Sequence, residues 1–430
     1  MSSKDFPGKT KRRRSGHGGW PVQWDKVQMP ETDDEAVALV ANSPKRFELM
    51  LARLRAAVEA GQRRNASRLS RLALRSDSAK IAALSYALSQ KAGAVKRRFH
   101  ADDPDWRARK VPGIAGALIT DALALDLWAG TNELTVWVVK MQPNGKCRLN
   151  YMSELLEYAR QYLALRVAKT MAVISPRQFI LRGGTPALVE WMTLHVPQAK
   201  VVMTTDIPRC FYVLNRARVE ADMPLPGRVM KRVLFDPMDQ AKEVPLSYGC
   251  DHTLITPSHY GCEAGSGWGI PPGSALAALA AEVSLRHILE AVENAAEGVV
   301  VASYGDNIII LAPSAKAAAA TKDALCEAAS VRIRPDAVEG LRTRIVTSTP
   351  KKGFFFVGSQ FAWKKGGLQR RRPPAYFDAF RLKLDVDLTE HKIDEAGALR
   401  RIAAWAKANN FDPQTAKIAA QIINDWGLAG

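Results

Sequence analysis

The chain has 430 residues, enough for two or three domains with cores of their own. It has no run of about 18 apolar residues and opens on a polar, basic stretch, so we expect neither a membrane span nor a secretion signal. The net charge of +18 favours a polyanionic partner, nucleic acid more than a membrane, although an Arg-rich and Ala-rich composition could also carry such charge for solubility. Five cysteines, an odd number, argue against a disulfide framework.

The first part of the chain is basic and then helical. Residues 1–19 are predicted to form a disordered basic arm, and residues 20–110 a helical RNA-binding extension. Between Phe47 and Ala92, apolar residues at helical spacing predict two helices joined around Gly61, with arginines between them. These arginines suit an RNA backbone, and a solvated basic face explains them equally well. The Trp20-x3-Trp24 opening and the run from Arg71 to Lys80 resemble the N-terminal domain of group II intron reverse transcriptases.

A predicted hairpin follows. The strand Val136–Lys140, a Pro-Asn-Gly-Lys turn at 143–146 and a return strand over 147–149 are similar to the fingers hairpin of that family, which presents basic residues to the incoming triphosphate. The resemblance implies nucleotide-binding roles for basic residues here and in the segment after the helix Glu154–Met171, since several cationic donors suit a polyphosphate. These residues are Lys140, Lys146, Arg148 and Arg182.

The stretch 201–207 is an apolar strand that ends in Asp206, and with the following residues it resembles motif A of the same enzymes. The resemblance implies that the Asp206 carboxylate and the Ile207 carbonyl hold a metal ion. Phe211, five residues after the aspartate, falls where reverse transcriptases carry an aromatic gate against the ribose 2′-hydroxyl. This position favours deoxynucleotides.

Four potential zinc ligands lie between the two strands that end in aspartate. They are Cys250, His252, His259 and Cys262. Two Cys and two His can close a tetrahedral zinc site, but this spacing matches no well-known zinc pattern. We therefore favour an ordinary polar loop.

A Gly-Pro-rich loop over 269–276, followed by a predicted helix over 277–291, looks like motif B of reverse transcriptases. Glycine lets the backbone approach a base pair closely, and the resemblance implies nucleotide contacts by Gly273 and Ser274. Pro272 stands where the family has Gln, and Glu282 where it often has Asn.

Two β-branched and aliphatic runs flank the break Tyr-Gly-Asp-Asn at 304–307 and predict a buried hairpin with Asp306 at its tip. An ordinary turn with a solvated aspartate is the alternative, but a second strand-end aspartate lies one hundred residues earlier at position 206. Two such carboxylates could hold two divalent cations for phosphoryl transfer. The hairpin occupies the place of motif C, where reverse transcriptases carry two adjacent aspartates, whereas Gly-Asp-Asn occurs in some viral RNA-dependent RNA polymerases. Asn307 therefore favours RNA synthesis, with Mn²⁺ or Mg²⁺ as the cation.

The last part of the chain alternates helix and strand. We predict a helix over 314–329 capped by Ser314, then basic strands over 331–346 in which Arg342 or Arg344 could neutralise pyrophosphate. Residues 354–358 resemble the primer grip, with Phe356, Val357 and Gly358 in that role. Helices over 398–408 and 415–426 suggest a thumb that follows a duplex by its phosphates.

The predicted fold is α+β, a right-hand polymerase with an antiparallel palm sheet flanked by helices. Its parts would be fingers (111–200), palm (201–350), and primer grip with thumb (351–430). The expected function is an RNA-directed RNA polymerase of a virus, with Asp206, Asp306 and Asn307 in catalysis and with RNA template, primer and nucleoside triphosphates as partners in the host cytoplasm. A reverse transcriptase is the alternative, and a catalytically inactive RNA-binding derivative is a third.

Overall fold

The computed structural model describes residues 26–90, 114–141, 147–248, 264–365, 367–390 and 392–427, with side chains except at 140–141, 147–148 and 243–248. The basic arm, Trp20, Trp24 and the four residues considered for zinc lie outside these ranges. Lys146 lies outside them as well, and of Lys140 and Arg148 only the main chain is described.

Helices dominate the described chain. The longer ones are α1 (Asp33–Glu59), α2 (Arg63–Arg75), α3 (Asp77–Gln90), α4 (Ala115–Leu123), α5 (Leu155–Met171), α6 (Gly184–His195), α7 (Ala277–Asn294), α8 (Ala315–Ser330), α9 (Pro335–Arg344), α10 (Pro374–Thr389), α11 (Glu395–Ala408) and α12 (Thr415–Asp425). Short helices span Cys210–Val213, Arg216–Asp222, Gly227–Met230 and Asp236–Asp239, with a π-helical turn at Lys231–Phe235 and a 3-10 turn at Val196–Gln198. None of the helices in the described ranges is long and apolar enough to cross a bilayer.

The strands form three sheets. They are β1 (Thr135–Met141), β2 (Cys147–Ser153), β3 (Val201–Asp206), β4 (Lys242–Tyr248), β5 (Val300–Tyr304), β6 (Asn307–Ala312), β7 (Val346–Ser348), β8 (Phe354–Phe356), β9 (Ser359–Lys364) and β10 (Gly367–Arg371). The central sheet has the order β5-β6-β3-β7 and is antiparallel throughout. A second sheet, β2-β1-β4, contains one parallel pair, and the third, β10-β9-β8, is antiparallel. The described chain thus combines helices with mainly antiparallel sheets, which is compatible with the predicted α+β class.

The central sheet is covered on both faces. Ile308 and Ile310 of β6 belong to the core that α7 and α8 share, while Ile309 and Leu311 belong to the core under α6. Because alternate residues point to opposite faces, only a strand buried on both sides favours an unbroken apolar run. Asp206 and Asp306, at the ends of these buried runs, lie at one end of the central sheet and are partly exposed.

The N-terminal helices differ from the prediction. The chain breaks at Gly61, which has φ 67°, as expected, but it breaks again at Ser76. The Ser76 hydroxyl accepts a hydrogen bond from the Ala79 N–H at 3.0 Å and so caps α3. This region therefore contains three helices, and the prediction of two is wrong. The first helix, α1, begins at Asp33 rather than near Phe47, and a capping box formed by Thr32 and Glu35 marks its start.

The basic strands predicted over 331–346 are wrong. Residues 335–344 form the helix α9, and only Val346–Ser348 is a strand. Pro335 occupies the first helical turn, where its missing N–H costs nothing, and Asp336 follows it at the positive end of the helix dipole. Ala337 and Leu341, one helical turn apart, are buried and fix α9 against the core.

Three helices close the described chain, where the sequence predicted two. Phe377 of α10, Trp405 of α11 and Ile422 of α12 share one core. The Phe377 and Trp405 rings meet edge to face, with centroids 5.8 Å apart. The helix α10, which the sequence did not predict, begins at Pro374 directly after Pro373, and proline is favoured in the first helical turn.

Candidate active site

Two strand ends meet at the open end of the central sheet. β3 and β6 pair from Val201 opposite Ala312 to Asp206 opposite Asn307. The carbonyl of Asp306 accepts a hydrogen bond from the Ile207 N–H at 3.1 Å. Although one hundred residues separate them in sequence, Asp206 at the end of β3 and Asp306 in the turn before β6 thus lie at the same end of the central sheet, as predicted from their positions at the ends of apolar runs.

The tip of the β5–β6 hairpin sets the direction of Asp306. Tyr304 pairs with Asn307, so Gly305 and Asp306 alone make the turn, and Gly305 has φ 61°, a value that glycine tolerates without strain. The side-chain amide of Asn307 donates a hydrogen bond to Asp306 Oδ1 at 3.1 Å. Asn307 therefore holds the Asp306 carboxylate in place and adds no charge to the site.

The donor atoms at this site suit a hard divalent cation. The site offers the carboxylates of Asp206 and Asp306, the Ile207 carbonyl and the Asn307 side chain, which are oxygen ligands of the kind that Mg²⁺ and Mn²⁺ bind. Within the described ranges, no three His, Cys, Asp or Glu side chains cluster closely enough to hold a metal ion. Mg²⁺ typically uses one or two carboxylates and takes its other ligands from water and phosphate, so the residues present fit such an ion.

Arg344 reaches the site from the end of α9. Its Nη1 lies 2.6 Å from Asp206 Oδ2, and the two side chains are 50% and 42% exposed. An exposed ion pair of this kind contributes little to stability, about 0–1 kcal/mol. Two arginines were predicted to neutralise pyrophosphate. Arg344 lies at the site, whereas Arg342 Nε lies 3.9 Å from Glu339 Oε2.

A cation at Asp206 has to compete with Arg344. The Arg344→Gln variant is therefore expected to bind Mn²⁺ about three- to tenfold more tightly, as measured by electron paramagnetic resonance without nucleotide. Arg342→Gln is the matched control, because it removes the same charge from the same helix while leaving Asp206 untouched. Equal Mn²⁺ affinities for all three proteins would contradict the competition.

A buried acid lies behind the hairpin. Glu282 of α7 is 1% exposed, and burial together with the Asp306 carboxylate raises its pKa to about 8, which a hydrogen bond with Gln178 partly offsets. Gln178 is itself fully buried and donates to the Glu282 main-chain carbonyl at 2.7 Å. Sequence reasoning singled out Glu282 only as a departure from a motif. An acid within the Ala-rich and Leu-rich first half of α7 was the available signal.

Three buried oxygen atoms near this acid have no hydrogen-bond partner among the described residues. They are Glu282 Oε2, Thr205 Oγ1 and Ser303 Oγ. Thr205 and Ser303 are both paired with Ile308, so their side chains share the face of the sheet that packs against α7. The structure thus places a set of polar groups directly below the two aspartates, and the sequence motifs did not predict it.

The predicted nucleotide loop is tied to its neighbours by the main chain. The Tyr151 N–H donates to the Pro272 carbonyl at 2.7 Å, and the Ala275 N–H donates to Gln161 of α5 at 3.3 Å. Ser274 is buried, and its hydroxyl accepts from the Leu276 N–H at 3.3 Å. The loop is therefore fixed against the β1–β2 hairpin and α5.

Gly273 is the point of closest approach, because it has φ 104° and a Cβ there would lie 2.5 Å from the Tyr151 carbonyl oxygen. Gly273→Ala is expected to lower the free energy of unfolding by about 2–4 kcal/mol, as measured by urea denaturation. Gly267→Ala is the control, since it has φ 73° but open space around the new methyl group, and should cost about 1 kcal/mol. An equal decrease in the free energy of unfolding of the two variants would show that the close approach to Tyr151 does not affect stability.

The remaining predicted residues have the following positions. Phe211 is half-buried, and its carbonyl accepts from the Ile270 N–H at 2.7 Å, which ties it to the glycine-rich loop. Arg182 is exposed in the turn after Gln178, whose main chain bridges to Ser303 of β5. Phe356 is buried under α6, and Val357 with φ 46° and Gly358 with φ 65° form the β8–β9 turn.

Of the three triphosphate ligands predicted for the β1–β2 hairpin, Lys140 and Arg148 are paired in the strand register, and Lys146 lies outside the described residues. No protein-family model and no curated protein sequence matches the chain. The features of this chain that point to a function are therefore the geometry of the two strand-end aspartates and the sequence motifs around them.

Proposed function

We propose that the protein is an RNA-directed RNA polymerase that extends a strand on an RNA template, with fingers, palm and thumb arranged as in right-hand polymerases and a viral genome as its template. The observation that carries this proposal is the pairing of Asp206 opposite Asn307, which brings the ends of two buried strands together at one end of the central sheet. Carboxylates at an open edge, with a glycine-rich loop fixed nearby, suit the transfer of a nucleotide to a strand terminus.

Each residue of the site has a role in this proposal. Asp206 and Asp306 would hold divalent cations, which would supply positive charge for attack by the primer 3′-hydroxyl on the α-phosphate and for the departure of pyrophosphate. Asn307 orients Asp306 through its amide hydrogen bond. Arg344, half-exposed beside Asp206, is placed to exchange that carboxylate for a phosphate oxygen when a triphosphate arrives.

One observation favours a second function, reverse transcription. Phe211 follows Asp206 by five residues, and its carbonyl accepts a hydrogen bond from the main chain of the glycine-rich loop. In this second function its aromatic ring would exclude a ribose 2′-hydroxyl. Asn307 supports RNA synthesis more strongly, because it contacts Asp306 itself and acts in every turnover.

Primer extension by the purified chain on an RNA template tests the proposal. NTPs and dNTPs are offered in separate reactions with Mg²⁺ or with Mn²⁺, and Asp206→Asn serves as the inactive control. Extension with NTPs is expected. Extension with dNTPs alone would replace the proposal with reverse transcriptase, and RNA binding without any extension would replace it with an inactive RNA-binding derivative.

A further inference from the structure

A cavity lined by arginines lies apart from the two aspartates. It has a volume of about 710 Å³ and lies between the start of α6, strand β10 and the loop that joins α11 to α12. It is called here the arginine cavity, and its polar and aromatic lining is formed by Thr185, Gln369, Arg370, Arg371, Arg372, Asn410 and Phe411. None of these residues belongs to the carboxylate edge of the central sheet.

Two guanidinium groups are held against one aromatic ring in this cavity. The Arg370 guanidinium lies 3.8 Å and that of Arg372 5.4 Å from the centroid of the Phe411 ring. Arg372 also lies 4.3 Å from the Tyr376 ring. Cation–π contacts of this kind orient a guanidinium without neutralising its charge.

The two guanidiniums are hydrogen-bonded to neutral oxygens. Arg370 Nε donates to the Ser359 hydroxyl at 3.1 Å, and Arg372 donates to Asn409 Oδ1 at 3.0 Å and to the Gly358 carbonyl at 2.9 Å. The Asp412 carboxylate accepts from the Arg372 main-chain N–H at 2.6 Å, not from its guanidinium. In the described part of the chain, no ion pair joins a carboxylate to Arg370, Arg371 or Arg372.

The arrangement leaves positive charge without a counter-charge. Arg370 is half-buried, and burial together with the nearby charge of Arg372 lowers its pKa to about 10. Of the five N–H donors on its guanidinium, only Nε–H has an acceptor among the described residues. Holding like charges together in a cavity is unfavourable unless an anion binds there, and a guanidinium fork matches the oxygens of a phosphate group.

We propose that the arginine cavity is a binding site for a phosphate group. The phosphate comes either from the backbone of an RNA strand or from a free phosphate compound, and in both cases it accepts hydrogen bonds from Arg370 and Arg371. Thr185 and Asn410 line the same cavity and supply further polar groups. This site does not depend on the proposed polymerase activity, and the Asp306→Asn protein should bind phosphate there as well as the wild type does.

The test measures binding to the full-length chain. A fluorescent single-stranded RNA oligomer is titrated at several salt concentrations, and inorganic pyrophosphate is titrated by calorimetry. For an RNA phosphate, Arg370→Gln and Arg371→Gln are each expected to weaken RNA binding about three- to tenfold and to lower the salt slope by about one. For a free phosphate compound, the same variants instead lose pyrophosphate binding.

Arg400→Gln is the matched control, because this α11 arginine is 74% exposed and lies outside the cavity. Arginine-directed phenylglyoxal labelling of the wild type, read by mass spectrometry, gives a second measurement that needs no variant. RNA or pyrophosphate should protect Arg370 and Arg371 more than Arg400. Equal protection of all three, or variants that bind both ligands as the control does, would overturn the proposal, whatever the outcome of primer extension.

Discussion

Asp306→Asn is expected to reduce nucleotide incorporation at least about a thousandfold while the protein stays folded, because the change removes one of the two carboxylates that would hold the catalytic cations. Asparagine keeps the size of the side chain, and the β5–β6 turn depends on Gly305 rather than on the charge of Asp306. The measurement is single-nucleotide extension of a primer under saturating NTP and Mn²⁺.

The same variant should also become more stable above about pH 8, where the Glu282 carboxyl ionises in the folded protein. The Asp306 carboxylate raises the pKa of the buried Glu282, so its removal relieves a repulsion between two acids. Loss of activity together with gain of stability is a signature that simple misfolding cannot produce. Asp323→Asn, a change to an exposed acid on α8, is the control. Full activity of Asp306→Asn would refute the two-carboxylate mechanism.

Glu282→Gln is expected to stabilise the protein at alkaline pH by an amount on the order of 3 kcal/mol. The usual pKa of this carboxyl is 4.5, and in the folded protein it is about 8. Below the lower value, both the folded and the unfolded chain carry the proton, and the charge costs nothing. Between the two values the folded chain keeps a proton that the unfolded chain has lost, so wild-type stability falls as the pH rises, and above about 8 the full cost remains.

Urea denaturation of both proteins at pH 4.5 and at pH 8.5 measures this effect. Glu157 also has a raised pKa, about 7, owing to its burial, but it is present in both proteins and cancels in the difference. The predicted gain for Glu282→Gln is therefore large at pH 8.5 and small at pH 4.5. A difference that does not change with pH would mean that Glu282 is ionised in the folded protein.

The local features of the site were predictable because they are set by neighbours in sequence. Apolar runs on both sides of Gly305 predicted the β5–β6 hairpin, and the serine before an Ala-rich run predicted the start of α8, where the Ser314 hydroxyl accepts from the Ala317 N–H at 3.1 Å. The helix α9 was missed because Val331, Ile333 and Val338 have high β-propensity. The burial of Ala337 and Leu341 against the core outweighed it.

Features that depend on contacts between distant parts of the chain could not be predicted from the sequence. Arg344 lies 138 residues from Asp206 in the chain, and only the path of α9 brings the two together. The pKa of Glu282 depends on the depth of α7 beneath the hairpin and on Asp306, which belongs to another element. The periodicity of apolar residues predicts which face of a helix such as α7 is buried, but it does not predict which other elements pack against that face.

The strand register has a consequence for how this chain can change in evolution. Deleting one residue within Val201–Asp206 would turn every side chain on one side of the deletion to the other face of the sheet and displace Asp206 from its place opposite Asn307. Residues inserted between α7 and β5, or in the loop before α7, would leave that pairing intact. Relatives of this chain should therefore differ widely in the distance between the two aspartates along the sequence while keeping the lengths of β3 and β6 fixed, and the two short strands are the pattern by which to recognise them.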